Sequence, residues 1–142
     1  MDPLYPVLFN TSVLIAVTAL HIYWLFGGKT GLEFAIPNYT PSRKRYNNLN
    51  KFKLFFATVL FASMSLFNIE QAEIINGIFY DDFMHWGHRI IAVIFLFRSI
   101  GNFKFIGFTK TFKGTTFAKL DTYIYSPVCL LLSIFSLIMS LD

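Results

Sequence analysis

The sequence predicts an all-α membrane protein, a compact antiparallel bundle of four transmembrane helices formed by one domain over residues 1–142. Two observations carry that prediction. Apolar stretches at about residues 6–26, 52–69, 86–106 and 123–141 each approach the ~20 residues that a helix needs to cross ~30 Å of hydrocarbon. The charges also fall into alternating blocks. Apart from Arg89 and Arg98, all of the 12 Lys and Arg lie in two connections, Lys29 to Lys53 and Lys104 to Lys119. Apart from Glu33 and Asp121, all of the 8 carboxylates lie at the termini or between Glu70 and Asp82, where no basic residue occurs. Basic connections are retained on the cytoplasmic side, which predicts both termini and the acidic connection outside.

Composition agrees, with 55% hydrophobic and 14% charged residues, so four spans leave no room for a soluble domain. The net charge of +4 reads as topology and as contact with anionic lipids at the cytoplasmic face. A nucleic-acid partner would need a clustered basic face on a folded domain, and none is expected. Met1-Asp2-Pro3 lacks the basic start of a signal peptide, so the first apolar run is expected to remain as a helix. Cys129 is the only cysteine, which excludes a disulfide and CxxC chemistry and leaves a small packing residue.

Each span has an inward stripe by helical period. In the first, Asn10, Leu14, Thr18, His21, Trp24 or Leu25, and Gly28 share a face. The first connection holds Gly27, Gly28, Gly31, Pro37 and Pro41, which predicts a turn and a short surface segment. In the second span the stripe is Thr58, Ala62, Ser65 and Asn68, and in the third Gly87, Ile91, Ile94, Arg98, Asn102 and Phe105. The second basic connection interleaves Phe103, Phe105, Phe108, Phe112 and Phe117 with four lysines, a pattern for lying at the headgroups with rings down and ammonium groups out. In the fourth span Ser126, Cys129, Ser133, Ser136 and Ser140 form a seam of small residues, which lets helix backbones approach closely in lipid.

Arg98 is the sharpest outlier. It lies roughly 18 Å along its helix from Trp86, past the midplane, where a charge costs at least ~2.5 kcal/mol and must find partners. Asn102, His21, Asp121 and Tyr125 are the candidates; otherwise Arg98 snorkels to headgroups or ties helix ends. His21, beside Tyr23 and Trp24, is placed to relay protons or hold a headgroup, or to sit in an interfacial aromatic belt. Asp81, His85 and His88 share a helical face and form a weak metal candidate. Acids at a helix start, with Arg89 paired to Asp82 or His85, explain the same residues without a metal.

No cofactor is expected. His21 is roughly 22 Å along its helix from Pro6 and His88 only ~3 Å from Trp86, so they cannot hold one haem between them. No Asp or Glu falls inside a predicted span, which disfavours pumping through a buried carboxylate. Gly28-Lys29-Thr30 lacks the strand and first glycine of a phosphate loop.

Two segments carry a family likeness. They are His21-Ile22-Tyr23-Trp24-Leu25-Phe26-Gly27-Gly28-Lys29 with Ala35-Ile36-Pro37, and Arg98-Ser99-Ile100-Gly101-Asn102 through Phe108, with Gly114 to Thr122 and Tyr125-Ser126-Pro127-Val128-Cys129-Leu130. They resemble the bacterial integral-membrane family of unknown function DUF3995, in which an Asp usually stands where this chain has Asn102. The resemblance implies a four-helix protein of the bacterial inner membrane with its motif residues clustered at the cytoplasmic end, and implies no substrate.

Three function classes follow. The first is a protein binding a lipid headgroup or small amphiphile through His21, Tyr23, Trp24, Arg98, Asn102, Asp121 and Tyr125. The second is an accessory subunit burying its apolar surface on a membrane-protein partner. The third is an enzyme acting on a lipid or isoprenoid, which needs a base or nucleophile, with His21 and Asp121 as the only plausible pair to supply it.

Overall fold

The computed structural model describes residues 4–36, 51–72, 74, 77–102, 104, 106–111 and 113–141, and these residues contain helices and no strand. Helix α1 runs over Leu4–Leu25, the short α2 over Leu32–Ala35, α3 over Lys51–Gln71, α4 over Asp81–Ile100, α5 over Thr116–Leu120 and α6 over Ser126–Met139. A π-helical turn, Asp121–Tyr125, joins α5 to α6. Three helical stretches are long and apolar enough to cross a membrane: Leu4–Leu25, Lys51–Gln71 and Thr116–Met139. Pro37, Pro41, Arg43, Lys44, Arg45, Phe103, Phe105 and Phe112 lie outside the described residues.

Polar pairs set the helix directions. Thr11 donates to the Asn68 carbonyl at 3.3 Å and Thr18 meets Ser65 at 3.1 Å, so α1 and α3 are antiparallel. Ser133 donates to the Ala92 carbonyl at 2.7 Å and Arg98 reaches Asp121, so α4 runs antiparallel to the α5–α6 stretch. Helix α1 also packs on α6, and α3 touches α4. Leu14, Met64, Ile91, Phe95 and Leu132, contributed by all four long helices, form the central apolar cluster. The outward faces carry exposed Phe55, Phe56, Ile90, Val93, Phe97 and Leu137, an apolar exterior of the kind that hydrocarbon covers.

The serine seam is buried at Ser126, Ser133, Ser136 and Ser140, with Cys129 half-buried. Thr58, Ser65 and Asn68 are buried as expected, but Ala62 turns outward. On α4 the buried face is Met84, His88, Ile91, Ala92, Phe95 and Ser99, and Ile94 is exposed. The expected stripe is offset from this face rather than lost: Ile91 is buried, Ile94 and Arg98 face the cavity between the helices, Gly87 lies against Phe67, and Asn102 falls beyond the helix end. Branched apolar residues surround this helix, so period alone did not separate its core side from its outer side.

Helix α4 ends at Ile100, short of the expected 106. Gly101 takes φ 89° and ψ −169°, a region open essentially to glycine. The chain then folds back on the helix end: Phe108 N–H donates to Ser99 O at 2.9 Å and Thr109 N–H to Ile100 O at 3.3 Å, satisfying carbonyls the helix leaves open. Asn102 Oδ1 accepts from the N–H groups of Lys104 and Ile106, tightening the turn. A Cβ on Gly101 would stand 1.7 Å from Ile106 O, and one on Gly107 2.3 Å from Ile100 O.

The last helical stretch starts earlier than the expected 123. Thr115 caps it by accepting from the Ala118 N–H at 3.1 Å. Pro127 has no N–H and crowds the carbonyl four residues back, and just before it the helix widens, with Ser126 N–H bonding Asp121 O, five residues back. Asp121 is therefore within this stretch rather than before it.

Candidate functional site

The site is built around Asp121, which is wholly buried. Oδ1 accepts from Arg98 Nη2 at 2.9 Å, and Oδ2 accepts from Lys110 Nζ at 3.0 Å and Gly107 N–H at 2.7 Å. Each contact has a local cause. The α4 last turn presents Arg98, the folded-back loop presents Gly107 and Lys110, and the widened turn places the carboxylate between them. A carboxylate at this depth is tolerated because two cations and a backbone donor surround it.

Lys110 corrects the expectation for the second basic connection. It is 3% exposed rather than directed to headgroups, and Nζ donates to Asp121, to Gly107 O at 3.1 Å and to Thr122 Oγ1 at 2.6 Å. An ammonium has three donors, so Lys110 is saturated. Phe117 is likewise buried, packing beside Tyr125, while Phe108 is exposed.

Two cations face one carboxylate, so the cluster carries excess positive charge. That excess resides on Arg98. Its side chain is 30% exposed, and among the described residues its buried Nη1 has no hydrogen-bond partner. Arg98 lines a cavity of about 430 Å³ between the long helices, at the end where the two lysine-rich connections lie. The walls are overwhelmingly apolar, with Val13, Leu14, Val17, Leu20, Leu60, Phe61, Met64, Ile94, Phe95, Val128 and Leu132 among them. The polar members are His21, Trp24, Arg98 and Tyr125.

The cavity thus gathers four of the residues singled out from sequence. His21 Nδ1 donates to Val17 O at 2.8 Å, and its ring lies 4.8 Å from Phe61 and 5.2 Å from Trp24 by centroid. A carbonyl only accepts, so Nδ1 carries the hydrogen and an uncharged ring keeps Nε2 as an acceptor. Trp24 Nε1 donates to Thr30 O at 3.0 Å, and Tyr125 OH to Phe34 O at 3.0 Å, so both rings pin the segment containing α2 across the cavity end, where Ala35 joins the lining.

Asp121 lies behind Arg98 and not on the cavity wall. Tyr23 also lies off the cavity, with its hydroxyl donating to Thr30 Oγ1 at 3.1 Å. Asn102 belongs to the loop turn, a role an Asp oxygen would fill equally. Asp81, His85 and His88 do not form a centre: His88 is fully buried while Asp81 is exposed, and among the described residues no three His, Cys, Asp or Glu stand close enough to hold a metal. Arg89 lies over the Trp86 ring at 5.1 Å, a cation–π contact in place of the expected ion pair with Asp82 or His85.

Sequence reasoning missed Lys110 and Gly107. Gly107 stood within a quoted motif and signalled a special backbone, but nothing local marks Lys110 among its neighbouring lysines.

No curated protein and no solved structure matches the chain. Residues 14–136, which hold all of the cavity lining except Val13, the folded-back loop and Asp121, match one family model, and the chain belongs to the family described as protein of unknown function (DUF3995).

Proposed function

We propose that this is a four-span integral membrane protein that binds an anionic amphiphile, its headgroup on Arg98 and its apolar chain in the cavity. The observation that carries the reading is Arg98 on the wall of an apolar cavity, its side chain 30% exposed and anchored by Asp121 through Nη2. A cation on an apolar wall favours an anionic oxygen over a neutral one, through a charge-assisted bond to the exposed part of the guanidinium. His21 and Tyr125 line the same cavity, and its walls suit a hydrocarbon chain.

In this reading α4 is the fourth span. Its charges are accommodated: Asp81 and Asp82 at its start, Arg89 over Trp86 and Arg98 on Asp121. Both lysine-rich connections then face the cytoplasm and both described chain ends face outward, which puts the cavity in the cytoplasmic half, beside anionic lipid. Reporter fusions after Arg45 and Gly114 should read cytoplasmic, and a fusion at the C-terminus external. The enzyme reading is weaker, because Asp121 is occupied by three donors and is not free to act as a base.

The test is native mass spectrometry of protein purified in mild detergent, beside a melting curve. Arg98→Lys keeps the charge opposite Asp121 but not the two-pronged guanidinium, so it should lose the retained anionic amphiphile with little change in melting. Arg98→Ala should lose both ligand and stability. An unchanged ligand profile in Arg98→Lys would refute the binding role of Arg98.

A further inference from the structure

At the opposite end from the cavity, a second group of polar side chains is buried with its hydrogen bonds incomplete. Asn10, Asn68, His88 and Ser136 come from four different helices, and each is 0% exposed. Their contacts place them at one level. Asn10 Nδ2 donates to Ser136 Oγ at 3.0 Å, joining α1 to α6. Thr11, next to Asn10, donates to the Asn68 carbonyl, joining α1 to α3. Ser133 bonds Ala92 O; going one turn along both antiparallel helices brings His88 to the level of Ser136. The His88 ring also lies 6.4 Å from Phe67, the residue before Asn68.

Among the described residues, Asn10 Oδ1, Asn68 Oδ1 and both ring nitrogens of His88 are buried without a partner. An uncharged imidazole offers one N–H and one lone pair, and the Ser136 hydroxyl, which accepts from Asn10, offers its own O–H, so the group presents three acceptors and two donors. No carboxylate belongs to it, so a cation here would lack a counter-charge. The molecule that fits an excess of acceptors in a small neutral site is water, which donates twice and accepts in return. Two waters supply four O–H groups, enough for the three acceptors and one bond between them, while their lone pairs take the imidazole N–H and the Ser136 O–H. The apolar cluster of Leu14, Met64, Phe95 and Leu132 lies between this level and the cavity, and closes the site from that side.

We propose that Asn10, Asn68, His88 and Ser136 form an internal hydration site, a pocket for about two ordered waters that completes the polar seam joining the four long helices. These waters form part of the packed interior and are separate from the amphiphile cavity.

The experiment is water cross-relaxation NMR on full-length protein labelled with ¹⁵N-histidine in detergent micelles, with His21→Gln and His85→Gln used to assign the His88 ring. A slowly exchanging His88 ring N–H with a cross-peak to water is expected. That cross-peak should disappear in the Asn10→Leu, Asn68→Leu double variant. A slowly exchanging ring N–H with no water cross-peak in the wild type would overturn the proposal, as would a direct coupling across a hydrogen bond to a protein acceptor. A ring N–H exchanging too fast to observe would mean the site is open to bulk water, which also overturns it. The wild-type spectrum decides the matter even where the double variant fails to fold.

Discussion

The two ends of the helix assembly solve the same problem, polar groups within an apolar body, in different ways. At the lysine-rich end charges are paired and one is left over: Asp121 collects Arg98, Lys110 and the Gly107 N–H, and Arg98 retains a buried unpartnered nitrogen beside an apolar cavity. At the other end the groups are mostly neutral and closed in, and packing is dense enough that serines meet backbone or amide directly. Its buried acid, Glu70, holds the segment before α4, with Oε1 accepting from the N–H groups of Ile78 and Phe79 at 2.9 Å each, while among the described residues Oε2 has no partner. Neutral polar groups can be satisfied by a seam completed with water, whereas a cation on an apolar cavity wall favours an anionic partner. This contrast is why ligand binding is assigned to one end only.

The largest expected effect comes from removing the carboxylate that organises the charged end. Asp121→Asn leaves Lys110 and Arg98 buried against each other, and losing one partner of a buried ion network costs about 3–5 kcal/mol. Chemical unfolding in detergent should show a loss of that size, and a change under ~1 kcal/mol would mean the network contributes little.

Next comes the folded-back loop. Gly107→Ala puts a Cβ against Ile100 O and Gly101 Cα at a φ of 86°, with an expected loss of about 1–3 kcal/mol and release of Lys110 from its burial. Increased labelling of Lys110 by an amine reagent would report that release; wild-type labelling would show that the loop tolerates the change.

At the neutral end, Ser136→Leu should cost about 1–3 kcal/mol by overpacking the seam and stranding Asn10, whereas Leu137→Ile on the exposed face should be nearly silent. Equal melting of the two variants would show that the seam is on the wrong face. The smallest effect is expected for Glu70→Gln. Its oxygen still accepts both N–H groups and no ion pair is lost, so the change should stay near 1 kcal/mol.

How much of this was readable in the sequence depends on whether a local pattern encodes it. Hydropathy located the long helices, and the spacing of Ser126, Ser133, Ser136 and Ser140 located the face of α6, because small residues among Leu and Ile leave one reading. On α4 both sides are apolar, so the stripe came out offset. The apolar run past Ile100 extended that span on paper, although Gly101-Asn102 held the stop signal. Arg98 stands out in the sequence because its charge is out of place in an apolar stretch, and Asp121 enters as one of its candidate partners at the start of the fourth span. Lys110 was not found, since its burial depends on a loop folding back across a distant helix, and a lysine in that loop looks the same whether it meets water or a carboxylate.

The central claim is that the cavity beside Arg98 takes the chain of an anionic amphiphile, and the two tryptophans allow it to be tested directly. Trp24 lines the cavity and Trp86 is exposed at the other end, so Trp86→Phe leaves a single fluorophore at the site. Titrating that variant in detergent with a fatty acid brominated along its chain should quench Trp24 saturably. The unbrominated acid should compete, and adding Arg98→Lys should shift the curve to at least about tenfold higher concentration, as expected for ~1.4 kcal/mol of lost headgroup recognition. Quenching that rises linearly with added acid, without competition and with no dependence on Arg98, would contradict the account.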